Sequence, residues 1–224
     1  MTSREHASLQ QRWSDYQRLS TLTEHWYWRP GWQEGRQFYT WHLTFEYQPL
    51  LHELVTHLQS QLVMPGLDPV PLDALHLTMQ GVGFTDHVTD SDLDRIVEHA
   101  RTRCADLPAP ELTLGPVDPD AEGIGLLVQP WDQVERLRTA IREAIGTVWD
   151  TVPEAAQGFR PHVTIAYSGS STAAAPIRDR LTELRHIPGV TVRIREASLI
   201  ALRREDHTYR WTTIATASIG GTNP

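Results

Sequence analysis

Along the chain the spacing of apolar residues switches between a period of two and one of 3.6, and the switches predict the elements. "FYTWHLTFE", from Phe38, alternates like a strand. Pro49 then opens a helix with Leu51, Leu54, Val55, Leu58 and Leu62 along one stripe. "LHLTMQGVGF" is strand-like, and a helix from Ser91 carries Leu93, Ile96, Val97, Ala100, Cys104 and Leu107 on one face, which makes Cys104 a core residue. "ELTLGPV" and "GIGLLVQP" read as a hairpin joined through "DPDAEG". The helix after it turns Val134, Leu137, Ile141, Ile145 and Val148 inward. "RPHVTIAY" is a strand, a short helix spans about Pro176 to Arg185, and "VTVRIREASLIALRR" with "YRWTTIATASI" forms a closing antiparallel pair. Strands and helices mix without strict βαβ regularity, so the expected class is α+β.

Residues 1–35 stand apart from the domain at 36–224. Leu9, Trp13, Tyr16 and Leu19 suit one helix face, and "HWYWRPGW" reads as an aromatic loop. Trp13, Trp26, Trp28 and Trp32 are a large apolar load for a free tail. The segment is therefore expected to pack on the domain, against outer helices or at the rim of a cleft.

The pattern His-x-Thr occurs four times, in "WHLTF", "LHLTM", "DHVTD" and "PHVTI"; about one copy is expected by chance, so a single match means little. An internal repeat separates them. Each half has a strand ending in Gln-Pro, a helix, and then a strand bearing His-x-Thr, with 27 residues from Pro49 to His76 and 32 from Pro130 to His162. Laying Pro49 on Pro130 sets His42 against Gly123, so His42-Leu43-Thr44 falls in a leading strand with no counterpart pair. His87 is flanked by Asp86 and Asp90 ahead of a helix cap and reads as a loop. His76 with Thr78, and His162 with Thr164, occupy equivalent places. Residues two apart in a strand share a face, so each pair projects together. If the halves face each other, two imidazoles and two hydroxyls meet in one cleft. An imidazole pKa near 6.5 lets one histidine act as base and the other as acid, with a rate maximum near neutral pH. Threonine hydroxyls donate to phosphoryl oxygens. These are the ingredients for metal-free, in-line displacement at phosphorus.

Composition narrows the chemistry further. All 20 basic residues are Arg; without Lys there is no P-loop, no Schiff base and no lysyl-nucleotide intermediate. One Cys excludes an internal disulfide and a Cys-rich zinc site. His52 and His57 in "HELVTH" are five apart and do not share a helical face, so no metal site is expected there. A net charge of −8 argues against tight nonspecific holding of nucleic acid. From Phe159 onward, however, nine Arg face five Asp and Glu, a local excess of +4 where a phosphate would be attracted. No apolar run approaches the roughly 20 residues that span a bilayer, and the N-terminus lacks the layout of a secretory signal. A cytoplasmic monomer without membrane association is the expectation.

Two His-x-Thr motifs 86 residues apart, "LHLTMQGVG" and "FRPHVTIAY", resemble the signatures of the two-histidine (2H) phosphoesterase superfamily. The best match is its 2′-5′ RNA ligase or RNA 2′,3′-cyclic phosphodiesterase branch, over roughly Arg36 to Ile219. The resemblance implies a bilobal fold, with two pseudo-symmetric antiparallel sheets lining a central cleft and helices outside. It also implies no metal or other cofactor, and a nucleotide or RNA-end phosphodiester as substrate. By analogy His162 activates water and His76 protonates the leaving ribose oxygen. Many members carry Arg where Tyr167 stands; Arg160 shares the strand parity of His162 and is a candidate replacement. His42, with Thr44 and Glu46 on the same face, is a candidate substrate contact. Joining, without lysine, would be the ATP-independent reversal of cyclic-ester cleavage. The competing expectation is a nucleotide-binding or sensing protein of the same fold with little turnover.

Overall fold

In the computed structural model, which describes residues 2–220, the alternating segments pair into two larger antiparallel sheets, one per lobe. The first has four strands: β2 (Phe38–Thr44) and β4 (His76–Phe84) side by side, then β10 (Glu196–Glu205) and β11 (Thr208–Ser218), in the order β11-β10-β2-β4. The second has five: β3 (Leu67–Pro69), β7 (His162–Ser168), β6 (Gly123–Gln129), β5 (Glu111–Pro119) and β9 (Val190–Arg193), in that order. A short pair joins β1 (Thr21–Leu22) to β8 (Thr172–Ala173). Five α-helices lie among the described residues: α1 (Ser3–Gln17), α2 (Pro49–Gln61), α3 (Asp90–Ala105), α4 (Trp131–Gly146) and α5 (Ala174–Leu184).

The lobes interlock. Helix α2, which connects β2 to β4 of the first sheet, packs on β7 and β9 of the second, while α4, between β6 and β7, touches β4 of the first. Their apolar stripes dictate this. Val134, Leu137, Ile141, Ala144 and Ile145 of α4 are all buried, and each large side chain taken from water stabilises by roughly 1.5–3 kcal/mol. One hydrophobic cluster therefore runs through both lobes, with Cys104 inside it as expected from its stripe.

The N-terminal segment contributes to the same interior. Tyr16, Leu22 and Trp26 join the main cluster, and Leu9 packs with Leu127 and Trp131. Glu5 links two helix starts. Its carboxylate closes the capping box of α1 with Thr2 and accepts the backbone N–H of Trp131 at 2.6 Å, where α4 has no capping side chain of its own. Burial pushes the Glu5 carboxyl up, but the N–H groups of Trp131 and Thr2 outweigh it and hold it below its ordinary value. A carboxylate at a helix N-terminus also meets the positive end of the helix dipole. Arg12 pairs with the buried Asp118 of β5 at 2.8 Å.

Two expectations need correction. "VTVRIREASLIALRR" is not one strand: the N–H of buried Ile194 bonds to the Pro110 carbonyl, so Val190–Arg193 stays in the five-stranded sheet and only Glu196 onward enters the other. The repeat is also offset from the Gln-Pro alignment. Thr78 lies opposite His42, whereas Thr164 lies opposite Gly125, not Gly123. The strand ends differ: β2 stops at Thr44 and a turn at Glu46–Tyr47 precedes Pro49, whereas β6 runs up to Gln129, directly before Pro130.

Candidate active site

His76 opens β4 and His162 opens β7, each two residues after a carbonyl that its ring reaches. Nδ1 of His76 lies 2.8 Å from the Ala74 carbonyl, and Nδ1 of His162 lies 2.8 Å from the Arg160 carbonyl. A carbonyl oxygen only accepts, so in each neutral ring Nδ1 carries the hydrogen and Nε2 keeps its lone pair. Both rings, with Thr78 and Thr164, line one cavity of about 440 Å³ between the sheets. Burial lowers both pKa values. That of His76 falls to about 4, with further depression from His162 and His25 against the raising effect of the Ala74 bond. His162 is depressed by burial and by Arg160, and is partly supported by Asp120 and Asp118.

His42 belongs to the same wall. Its ring stacks parallel on His76, centroids 4.5 Å apart and planes 4° apart, and its Nε2 lies 3.2 Å from Oγ1 of Thr78. Burial, then His76, holds it well below its ordinary value. The second lobe has no third imidazole because Gly125 stands at that register, where a Cβ would already come 3.3 Å from the Asp118 carbonyl oxygen. The strand parity read for β2 holds, but the cleft follows it toward Thr40 and Phe38. Glu46 instead lines a separate depression with Asp73 and Trp211, and Thr44, paired with His76, does not line the cleft.

Arg160 points its guanidinium at carboxylates, 2.7 Å from Asp120 and 4.0 Å from Asp118, beside a smaller hollow shared with His162 and Thr164. Tyr167 is buried in the cleft wall with its hydroxyl pKa pushed up by burial. Its ring stacks on His25 at 4.1 Å. His25 connects the lobes: Nδ1 donates to Glu122 at 3.0 Å, while Nε2 meets the Tyr209 hydroxyl at 2.9 Å. Burial lowers its pKa to about 4 despite Glu122. Arg29 also donates to Glu122.

The remaining histidines are elsewhere. His87 sits in a turn beside Arg36, and His52 donates to the Phe45 carbonyl at 2.7 Å from the side of α2. Among the described residues no three His, Cys, Asp or Glu side chains are grouped to hold a metal ion, and no helix is long and apolar enough to cross a membrane.

Two His-x-Thr strands facing one cleft from pseudo-symmetric sheets agree with the comparison by family: residues 47–206 match the 2′-5′ RNA ligase superfamily. The chain belongs to this superfamily. Solved structures share the fold of this superfamily member. LigT of E. coli complexed with NADP+ superposes with a TM-score of 0.61 at 18% identity, covering 83% of this chain and 99% of that one. LigT complexed with 3′-AMP gives 0.62 at 18% identity, with the same coverages. The TT0787 protein of Thermus thermophilus gives 0.62 at 16% identity, over 84% of this chain and 100% of that one. Among curated proteins nothing matches the sequence.

The superfamily match begins at Tyr47, so part of the cleft lies outside it. His25, Arg29 and Trp32 come from the N-terminal loop, Phe38, Thr40 and His42 from β2. Sequence reading did not place His25, Arg29 or Glu154 in the cleft. None sits in a periodic element, and only the crossing of the loops brings them there. The signal available for the loop was its tryptophan density. Nothing in the sequence singles out Glu154.

Proposed function

We propose that this protein is a metal-independent phosphodiesterase that opens a 2′,3′-cyclic phosphate or a 2′-5′ linkage in a nucleotide or at an RNA end, with His162 as general base and His76 as general acid. The observation that carries the reading is the matched anchoring of the two imidazoles, each with Nδ1–H on a carbonyl and Nε2 free, beside two threonine hydroxyls in one cavity. Its superfamily membership, and the nucleotide complexes of LigT, agree with it.

In this reading the phosphodiester lies between the strands, its non-bridging oxygens accepting from Thr78 and Thr164. Nε2 of His162 takes a proton from water as the water oxygen bonds to phosphorus. The bond from phosphorus to the ribose oxygen breaks, and Nε2–H of protonated His76 delivers its proton to that oxygen. Solvent exchange then resets both rings. The assignment follows the surroundings. Asp118 and Asp120 support the imidazolium that forms on His162, whereas His76, with a pKa of about 4, is a strong acid once charged. The negative charge of the substrate is what draws a proton onto it. Arg160, neutralised by Asp120, acts here chiefly through the carbonyl that orients His162. Tyr167 and His42 shape the wall, and an Nε2–H on His42 donating to Thr78 would free the threonine proton for the phosphoryl group.

The test is turnover of nucleoside 2′,3′-cyclic monophosphates and 2′-5′ dinucleotides by chelator-treated protein. His76→Ala and His162→Ala should each lose roughly 10²–10⁴-fold in kcat/KM, and His87→Ala should match wild type. Strict dependence on an added divalent ion, or equal losses at His87 and His76, would overturn the reading.

A further inference from the structure

Four residues along β2 from His42, about 13 Å at the rise of a strand, the cleft wall changes from imidazoles and hydroxyls to aromatic rings. Trp32 and Phe38 line it there, their ring centroids 5.8 Å apart. Both pack against Phe84, at 5.5 and 5.0 Å. None of these three belongs to a core cluster. Trp32 and Phe38, braced from behind by Phe84, form a platform that faces the cavity instead of filling the interior.

Beside the platform is Glu154. Its carboxylate accepts the Gly81 N–H at 3.3 Å. A Cβ on Gly81 would stand 2.5 Å from Oε1 of Glu154 and 3.0 Å from Cε1 of Phe38, so this glycine opens the gap in which carboxylate and ring meet. Glu154 has φ +60°, a left-handed conformation that a non-glycine residue holds only when its surroundings impose it. Here they do. Arg138 donates to the carbonyls of Ala155 and Ala156, each at 3.0 Å, Arg142 to that of Glu154 at 3.0 Å, and Gln80 to that of Pro153 at 2.6 Å. The Glu154 side chain itself is exposed and contributes nothing to the core.

The geometry points to a nucleobase subsite selective for guanine, with the base stacked on Trp32 and Phe38 and its N1–H and N2–H donated to the Glu154 carboxylate. The phosphodiesterase reading is needed only for where the phosphate lies, over His76 and Thr78. Stacking holds any base, since every base has a π-face. Discrimination therefore falls to the carboxylate, which only accepts. Guanine presents two adjacent donors on one edge. Adenine and cytosine pair their amino donor with a ring-nitrogen acceptor that the carboxylate repels, and uracil sets a single N–H between two carbonyls.

The experiment is calorimetric binding of the 2′- and 3′-monophosphates of guanosine, adenosine, cytidine and uridine, with turnover of the four 2′,3′-cyclic nucleotides measured in parallel. The guanosine ligand should bind about 10- to 100-fold tighter than the rest. Glu154→Gln should reduce it to the level of the others. Glu154→Gly should do the same while folding at least as stably, because glycine accepts the left-handed conformation without strain. Trp32→Leu should weaken all four by about 5- to 150-fold, and Trp32→Phe should restore most of that. Equal affinities for the four bases, a guanine preference that survives Glu154→Gln, or no nucleotide binding would each overturn the subsite. Guanine-selective binding without turnover would sink the phosphodiesterase reading and leave the subsite standing; base-indifferent turnover would do the reverse.

Discussion

Replacing His76 by Asn tests the burial of the cleft wall without any substrate. The folded protein holds this imidazole at a pKa of about 4 against an ordinary 6.5, chiefly because burial disfavours its charged form. Between those values the unfolded chain binds a proton that the folded protein refuses, so stability is full above pH 6.5 and falls as the pH falls toward 4. At pH 5 the proton-binding factors differ about 30-fold, which costs about 2 kcal/mol, and below pH 4 the loss levels off at about 3 kcal/mol. Asn can keep the hydrogen bond to the Ala74 carbonyl but cannot titrate. Urea unfolding of both proteins near pH 8 and pH 5, without phosphate, isolates the effect. His25, His42 and His162 titrate in both proteins and are depressed first by burial, which the substitution keeps, so they largely cancel in the difference of differences. The variant should lose about 2 kcal/mol less than wild type on acidification. Losses that agree within about 0.5 kcal/mol would refute the claim that the fold keeps His76 neutral.

The same burial moves the activity profile. With His76 and His162 both depressed, kcat/KM, which reports the free enzyme, should peak below pH 6.5 and not near neutrality, whereas kcat should peak at higher pH because the bound phosphodiester favours an imidazolium. A kcat/KM optimum above pH 7 would contradict the pKa directions. Glu5→Gln should lower stability by about 1–2 kcal/mol, since it weakens one carboxylate serving the starts of both α1 and α4; an unchanged thermal melt would show that the two caps are idle.

Much of this protein was legible in its sequence, and the legible part is what local periodicity controls. The stripes of α2, α3 and α4, the alternation of the main strands and the parity that pairs His76 with Thr78 and His162 with Thr164 depend on backbone geometry within one element. The repeat set His76 and His162 apart from the other two copies because it compares whole units of strand, helix and strand. What local pattern does not encode is where one element lies against another. Strand ends that differ ahead of Pro49 and Pro130 shifted the repeat by two residues and set His42 against Thr78, with Gly125 at the matching place in the other lobe. Chain crossings sent Val190–Arg193 to one sheet and Glu196 onward to the other. His25 and Glu154 reached the cleft through loops held by Glu122, Tyr209, Arg138 and Arg142, partners 12 to 184 residues away in the chain. The pKa depressions likewise come first from burial, which exists only once both sheets close on the cleft. Side-chain chemistry and spacing determined what this protein carries, and packing at long range decided which of those groups meet.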